Sequence, residues 1–336
     1  MSMVSIGDLA QSFQMRRDNA RLALDLNRLA GELSSGRVQD VTDRLRGDFG
    51  ILSSIERGLS RAGSFETTIS EAELETKARQ QTVESIRTLG QGISGALLLV
   101  SPETDPTLIS NAARDASTRL DSVLNLLNTQ VAGRSLFAGV GVTGAAVADK
   151  ETILSALEAE ITLAGAATAS DVGAVVDAWF GPGGGFEAIA YVGSPDELPA
   201  LRVSDSEVLG SPPKADDQRI RDVLSALSLA ALVDRDVLSS DPAESAELAR
   251  SSGEKLLSAD RRLVDLQAEI GESESQIERA RAEVAAETDG LILARSDLIS
   301  VDPFDTATEL QAVETQLRTL YAVTAKLSGL TLTDYI

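Results

Sequence analysis

From Leu256 to Leu291 apolar side chains return at alternating steps of three and four residues: Leu256, Ala259, Leu263, Leu266, Ile270, Ile277, Ala280, Val284 and Leu291, with Ser273 and Glu287 as the polar members of the series. A repeat of about 3.5 residues keeps one seam turned toward a partner helix along its whole length. So long a seam has to be covered by another long helix, which points to a coiled coil or bundle before anything else is known.

Other stripes of the same kind supply the partners. Leu310, Val313, Leu317, Leu320, Thr324 and Leu327 form a second series after a break at Ser300 and Val301. Near the start, Met15, Asn19, Leu22, Leu26, Leu29 and Leu33 form a third, which Gly36 is placed to stop. A longer helix uses Leu45, Leu52, Ile55, Leu59, Ala62 and Ile69 and continues through Val83, Ile86, Gly90, Ile93, Leu97 and Val100 to Ser101 and Pro102. Another carries Ile109, Ala112, Ala116, Leu120, Val123, Leu127 and Val131. Three Asp-Pro pairs, Asp105–Pro106, Asp241–Pro242 and Asp302–Pro303, read as helix starts: the carboxylate caps free amides and proline fits the first turn.

Between Gly139 and Pro213 the pattern changes. Glycine and proline concentrate in Gly181-Pro182-Gly183-Gly184-Gly185 and Gly210-Ser211-Pro212-Pro213, and Trp179, Phe180 and Phe186 cluster in a chain that is only 3% aromatic. Ile153–Leu163 and Val172–Phe180 read as short helices, Ala188–Val192 and Leu201–Val203 as strands. The expected fold is mainly α: an elongated helical bundle or coiled coil formed by the N- and C-terminal segments, with a small mixed α/β inserted domain. The expected division is 1–40 with 301–336 as a terminal coiled-coil assembly domain, 41–138 with 218–300 as a long-helix bundle, and 139–217 as the outward-facing insert. Short helices at the chain ends have few partners within the chain and would be marginal alone.

Composition removes many function classes. With no cysteine and no histidine there are no disulfides, thiolate nucleophiles, imidazole bases or Cys/His zinc sites. The 52 acidic against 30 basic residues give a net charge of −22, which opposes binding to nucleic acid or anionic membranes. No apolar run is long enough to cross a bilayer, and residues 1–11 show no cleaved secretory signal. Arginine supplies 25 of the 30 cations, and its planar fork suits carboxylate pairing within or between subunits.

Two catalytic-looking patterns are formal only. Gly139-Val140-Gly141-Val142-Thr143-Gly144 satisfies G-x-G-x-x-G, with Glu160 at about the distance where a ribose-binding acid would stand, but no βαβ alternation surrounds it. Ser252 and Lys255 satisfy S-x-x-K without companion motifs. Glu269, Glu272, Glu274 and Glu278 read as a solvated helix face. No catalytic, cofactor-binding or metal residues are expected.

Three segments carry a resemblance. Glu32-Leu33-Ser34-Ser35-Gly36-Arg37 resembles the L-S-S-G turn that follows the first helix of the bacterial flagellin family. The run from Asn128 to Gly139 (NTQVAGRSLFAG) is similar to the N-x-x-x-x-G-x-x-L-F-x-G passage of that family's hook-associated junction branch, and the ending from Leu317 to Ile336 has the same character. Val38–Arg44 and Met1–Asp8 depart from the usual family text. The resemblance implies a structural, non-enzymatic protein of the bacterial flagellum, at the junction of hook and filament. It further implies export by the flagellar type III apparatus without a cleaved signal, and an extracellular location. Implied partners are neighbouring copies, another hook-associated protein on the hook side, flagellin on the filament side and an export chaperone, with no nucleic acid and no membrane insertion. The alternative is a flagellin subunit of the filament itself; an enzyme holding a nucleotide on its glycine-rich segment is a third reading. Leu22, Leu26, Leu29, Leu310, Leu317, Leu320 and Leu327 are the expected assembly residues.

Overall fold

The computed structural model describes the backbone of residues 6–333 and the side chains of residue 10 and residues 12–326. The fold is mainly α. In chain order come α1 (Ile6–Ser35), α2 (Val41–Arg44), α3 (Gly50–Leu98), α4 (Pro106–Leu127), the two-residue strands β1 (Gln130–Val131) and β2 (Arg134–Ser135), α5 (Lys150–Ala164) and α6 (Ala169–Phe180). A π-helical turn (Phe186–Ala190), β3 (Leu201–Arg202), β4 (Val208–Leu209), α7 (Gln218–Asp234), α8 (Pro242–Ile299) and α9 (Pro303–Thr333) complete it. The chain forms two compact units, residues 64–284 and residues 1–63 with 285–336.

The larger unit holds most of the core. In α8 the series Leu256, Ala259, Leu263, Leu266, Ile270, Ile277, Ala280 and Val284 is buried, while Ser273 is half-buried. The facing stripe of α3 is buried at Ile69, Val83, Ile86, Ile93 and Leu97. Ion pairs and side-chain hydrogen bonds set the register: Glu73 with Arg281, Glu84 with Gln267 at 2.8 Å and Arg87 with Asp260 at 3.0 Å fix α3 and α8 as antiparallel. Between Ile69 and Val83 the buried positions are Ala72, Thr76, Arg79 and Thr82, so the stripe fades in the sequence where the helix still packs.

The centre of this unit is α7, whose residues from Val223 to Leu232 are all buried. A helix covered on every side loses its amphipathic signature, and α7 has no stripe for that reason. It packs mainly on α4, whose Ile109, Ala113, Ala116, Leu120, Val123 and Leu127 form the opposing face. Ser252 of α8 is fully buried and donates a 2.7 Å hydrogen bond to the Ala226 carbonyl of α7.

Helix boundaries follow local chemistry. Asp105 accepts from the Thr107 amide, and Asp302 from Phe304 and Asp305, each just ahead of its proline. Asp241 likewise accepts from Ala243 and Glu244. Backbone hydrogen bonding holds the Asp105 carboxyl below its ordinary value. The expected strand at Ala188–Val192 is instead the π-helical turn followed by a single bridge from Tyr191 to Val147. Phe186 and Ala190 are both fully buried while Ala188 between them is exposed, a pattern that suits a helical turn and breaks the two-residue alternation of a strand. Phe186 packs edge-on against Trp179, with ring centroids 6.2 Å apart. Leu201–Arg202 does pair, antiparallel with Val208–Leu209.

Candidate assembly interface

The smaller unit is built from both ends of the chain. Its α1 and α9 lie antiparallel: Asn19 Oδ1 accepts from the Tyr321 hydroxyl at 3.4 Å, and Met15 Sδ lies 3.8 Å from the Thr324 hydroxyl. Leu22, Leu29 and Leu317 are buried in this seam, while Leu26, Leu310 and Leu320 are half-buried. The Leu327 side chain and the terminal residues 334–336 lie outside the described residues. The same unit contains the ends of α3 and α8, where Ile55 and Ala62 are buried, Arg61 pairs with Glu287 at 2.9 Å and Arg295 with Glu56 at 3.5 Å.

Beyond those five side chains, no other apolar residue of this unit is buried among the described residues. Phe13 and Leu24 are 69% and 71% exposed, and Ile51, Leu293, Phe304 and Tyr321 are also open to solvent. Phe13 and Leu24 stand eleven residues apart, three turns of α1, on one face about opposite Leu22. Opposite its inner seam, α1 therefore exposes Phe13 and Leu24 on a face they share with Arg17, which sequence periodicity alone did not separate.

The turn after α1 is tied down by its own sequence. Gly36 adopts φ +68°, the left-handed conformation that closes a helix, and its amide donates to the Glu32 carbonyl at 2.8 Å. The buried Glu32 carboxylate accepts from Arg28 and from the Gln39 amide, both at 3.0 Å. Val38 donates to the Ile299 carbonyl and Val301 to that of Gly36, so the L-S-S-G turn is stitched to the α8–α9 junction by a short antiparallel bridge.

The second family-like segment, Asn128 to Gly139, has an equally concrete role in the larger unit. The Asn128 side chain accepts from the Ala146 and Val147 amides at 2.8 and 3.0 Å and donates to the Val147 carbonyl at 3.0 Å. Phe137 is fully buried, and the Leu136 carbonyl accepts from Arg79 Nε at 3.0 Å. Burial pulls the Arg79 guanidinium below its ordinary value, opposed by its partner Glu75. Gly139 has φ +60°, and a β-carbon there would lie 2.6 Å from the Asp196 carbonyl oxygen.

This geometry accounts for the dinucleotide-like glycines. They follow a two-residue hairpin strand and precede no helix directly, since α5 starts at Lys150. Its first turn is already capped by Asp149, which accepts from the Thr152 amide where a phosphate would sit. Ser252 and Lys255 are likewise committed, the serine to Ala226 and the lysine to Asp177 at 2.6 Å. Among the described residues, no group of three or more Asp or Glu side chains is placed to hold a metal, and no helix is long and apolar enough to cross a membrane.

Charge is divided unevenly. Residues 64–284 carry 36 acidic and 18 basic side chains, whereas the smaller unit carries 16 and 12. Most arginines of the larger unit are ion-paired, Arg219 with Asp217 and Glu269 among them. Arg16, Arg17, Arg21, Arg37, Arg44, Arg46 and Arg57 are all exposed, and none has a carboxylate within 4 Å among the described residues.

Residues 256–336 match the family model for the bacterial flagellin C-terminal helical region. Among solved structures, the fold is shared with FlgL of Bacillus cereus, at 10% identity and TM-score 0.50, over 71% of this chain and 96% of that one. It is also shared with a putative flagellar hook-associated protein of Vibrio parahaemolyticus, at 11% identity and TM-score 0.51, over 75% and 99%. No curated protein sequence matches this chain.

Proposed function

We propose that this chain is a structural, non-enzymatic component of the bacterial flagellum that forms the junction ring between hook and filament. The observation that carries the reading is the smaller unit: two chain ends folded into a helix pair with few buried and many exposed apolar side chains, in a chain whose last 81 residues match the flagellin C-terminal region. Such a unit is completed by neighbours. Folding of the ends is coupled to assembly, so that the free subunit stays unpolymerised until other subunits cover Leu26, Leu310, Leu320 and the outer face.

The junction is favoured over a filament flagellin because the two similar solved structures described above are named FlgL and a putative flagellar hook-associated protein. The partners in this reading are copies of the chain, a hook-associated protein on one side, flagellin on the other, and a chaperone before export by the flagellar type III route. Mass spectrometry of sheared flagella tests it, by counting this chain against the hook subunit and the main filament protein. A copy number well below the hook subunit is expected. Abundance equal to the filament protein would make it a flagellin, and absence would overturn the flagellar assignment.

A further inference from the structure

The β3–β4 hairpin leaves open space against α3 and α8: a cavity of about 280 Å³ lies among them, wholly within residues 64–284. Its wall is apolar at Leu198, Leu209, Pro212 and Ile270, and Thr76 and Arg79 of α3 border it as well. Thr76 and Arg79 are 8% and 4% exposed, and three residues apart they are neighbours on one helix face. Each keeps a donor without a partner among the described residues. Thr68 and Thr82 of the same helix donate to the Ser64 and Ala78 carbonyls at 3.1 and 2.8 Å, whereas the Thr76 hydroxyl makes no such bond. Arg79 donates through Nε to the Leu136 carbonyl and through Nη2 to Glu75, which leaves Nη1 over. A buried donor without an acceptor costs free energy, and an apolar cavity holding a few convergent polar groups is the usual form of a small-molecule site.

Charge selects the occupant. An anion would meet Glu75, Glu269 and the exposed Glu71 around the cavity, and a cation would meet Arg79 and Arg134. Glu75 is already shared by Arg79 and Arg134, at 3.1 and 3.8 Å, and Glu269 is paired with Arg219 at 2.8 Å. A charged ligand of either sign would therefore lose hydration without gaining a buried counter-ion. The two free donors can serve an uncharged acceptor, and the wall can cover a hydrocarbon. We propose that this cavity binds a small uncharged amide with an aliphatic body, its carbonyl oxygen accepting from Thr76 Oγ1 and Arg79 Nη1. The site lies within one copy and stands independently of the assembly reading.

The test is titration of the purified full chain with N-acetyl-leucine methylamide, followed by saturation-transfer difference NMR. For a probe of this size, saturable binding with a Kd of about 1 mM is expected. N-acetyl-leucine and leucine methylamide carry the same body with a negative and a positive charge, and should bind at least about tenfold more weakly. Thr76→Val keeps the shape of the side chain and removes only the hydroxyl, so it should weaken binding about fivefold. Ser273 also borders the cavity, and Ser273→Leu fills part of it, which should abolish binding. The Trp179 unfolding transition shows whether each variant is folded; if the leucine variant is not, the valine variant decides. No saturable binding of the neutral probe at roughly ten times that concentration would overturn the proposal. So would tighter binding of either charged form, or wild-type affinity in a folded variant.

Discussion

Replacing Asn128 with alanine removes three hydrogen bonds at once. The Ala146 and Val147 amides and the Val147 carbonyl lose their side-chain partner, and both residues are at most 1% exposed, so water cannot readily replace it. Each buried group left unpaired costs about 1–3 kcal/mol. With partial relaxation the sum is about 3–5 kcal/mol, or roughly 6–20 °C in the melting temperature of a unit this size. Asn128→Asp keeps both acceptor bonds but turns a carboxylate toward the Val147 carbonyl, and should cost about 1–3 kcal/mol. Trp179 is the sole tryptophan and lies in the same unit, so its fluorescence during urea or thermal unfolding reads that unit directly. The expected order of stability is wild type, then Asp, then Ala. An alanine variant within about 0.5 kcal/mol of wild type would refute the clamp, because surface substitutions give changes of that size.

Leu317→Asp with Leu320→Asp should leave the Trp179 transition within about 0.5 kcal/mol of wild type while abolishing incorporation into flagella; normal incorporation would defeat the assembly reading. Gly139→Ala should destabilise the larger unit by at least about 2 kcal/mol, from the left-handed backbone and the contact with the Asp196 carbonyl, as read by urea unfolding. Hydrogen bonds from Lys77 and then Arg281 lower the Glu73 carboxyl below 4.5, so its contribution is complete above that pH and is lost as pH falls through the lower folded-state value. Melting temperatures measured between pH 6 and 3 should therefore fall less steeply for Glu73→Gln than for wild type.

Much of this architecture is legible in the residues. The α8 seam, the capped Asp-Pro starts, the Gly36 stop and the helices α5 and α6 follow from short-range rules that depend on few neighbours. What could not be read is where burial overrides pattern. Helix α7 is buried all round from Val223 to Leu232 and has no stripe, Arg79 sits inward where a leucine would be expected, and Phe186–Ala190 forms a π turn ahead of the bridge from Tyr191 to Val147. At the interface, the leucines of the α1–α9 seam were visible as stripes. The exposed Phe13 and Leu24 were not, because Arg17 on the face they share interrupts any apolar series there. Glu32 stood in a recognisable motif, but its role as a buried acceptor for the Gln39 amide needs a chain reversal that no periodicity encodes.

The bridge that joins Arg37 to Ser300 also orders events in time. A chain delivered from one end, by a ribosome or through a narrow channel, presents α1 long before α9 exists, and the two can pair only after almost the whole sequence has emerged. Closing so wide a loop costs entropy that grows slowly with length, by about 0.6 kcal/mol per doubling, but it delays the encounter far more than it weakens it. Residues 64–284 have their own core and can fold first, which draws the two ends within reach of each other. The surface that copies would share is then the last part of the molecule to form, and a truncated or stalled chain would never acquire it.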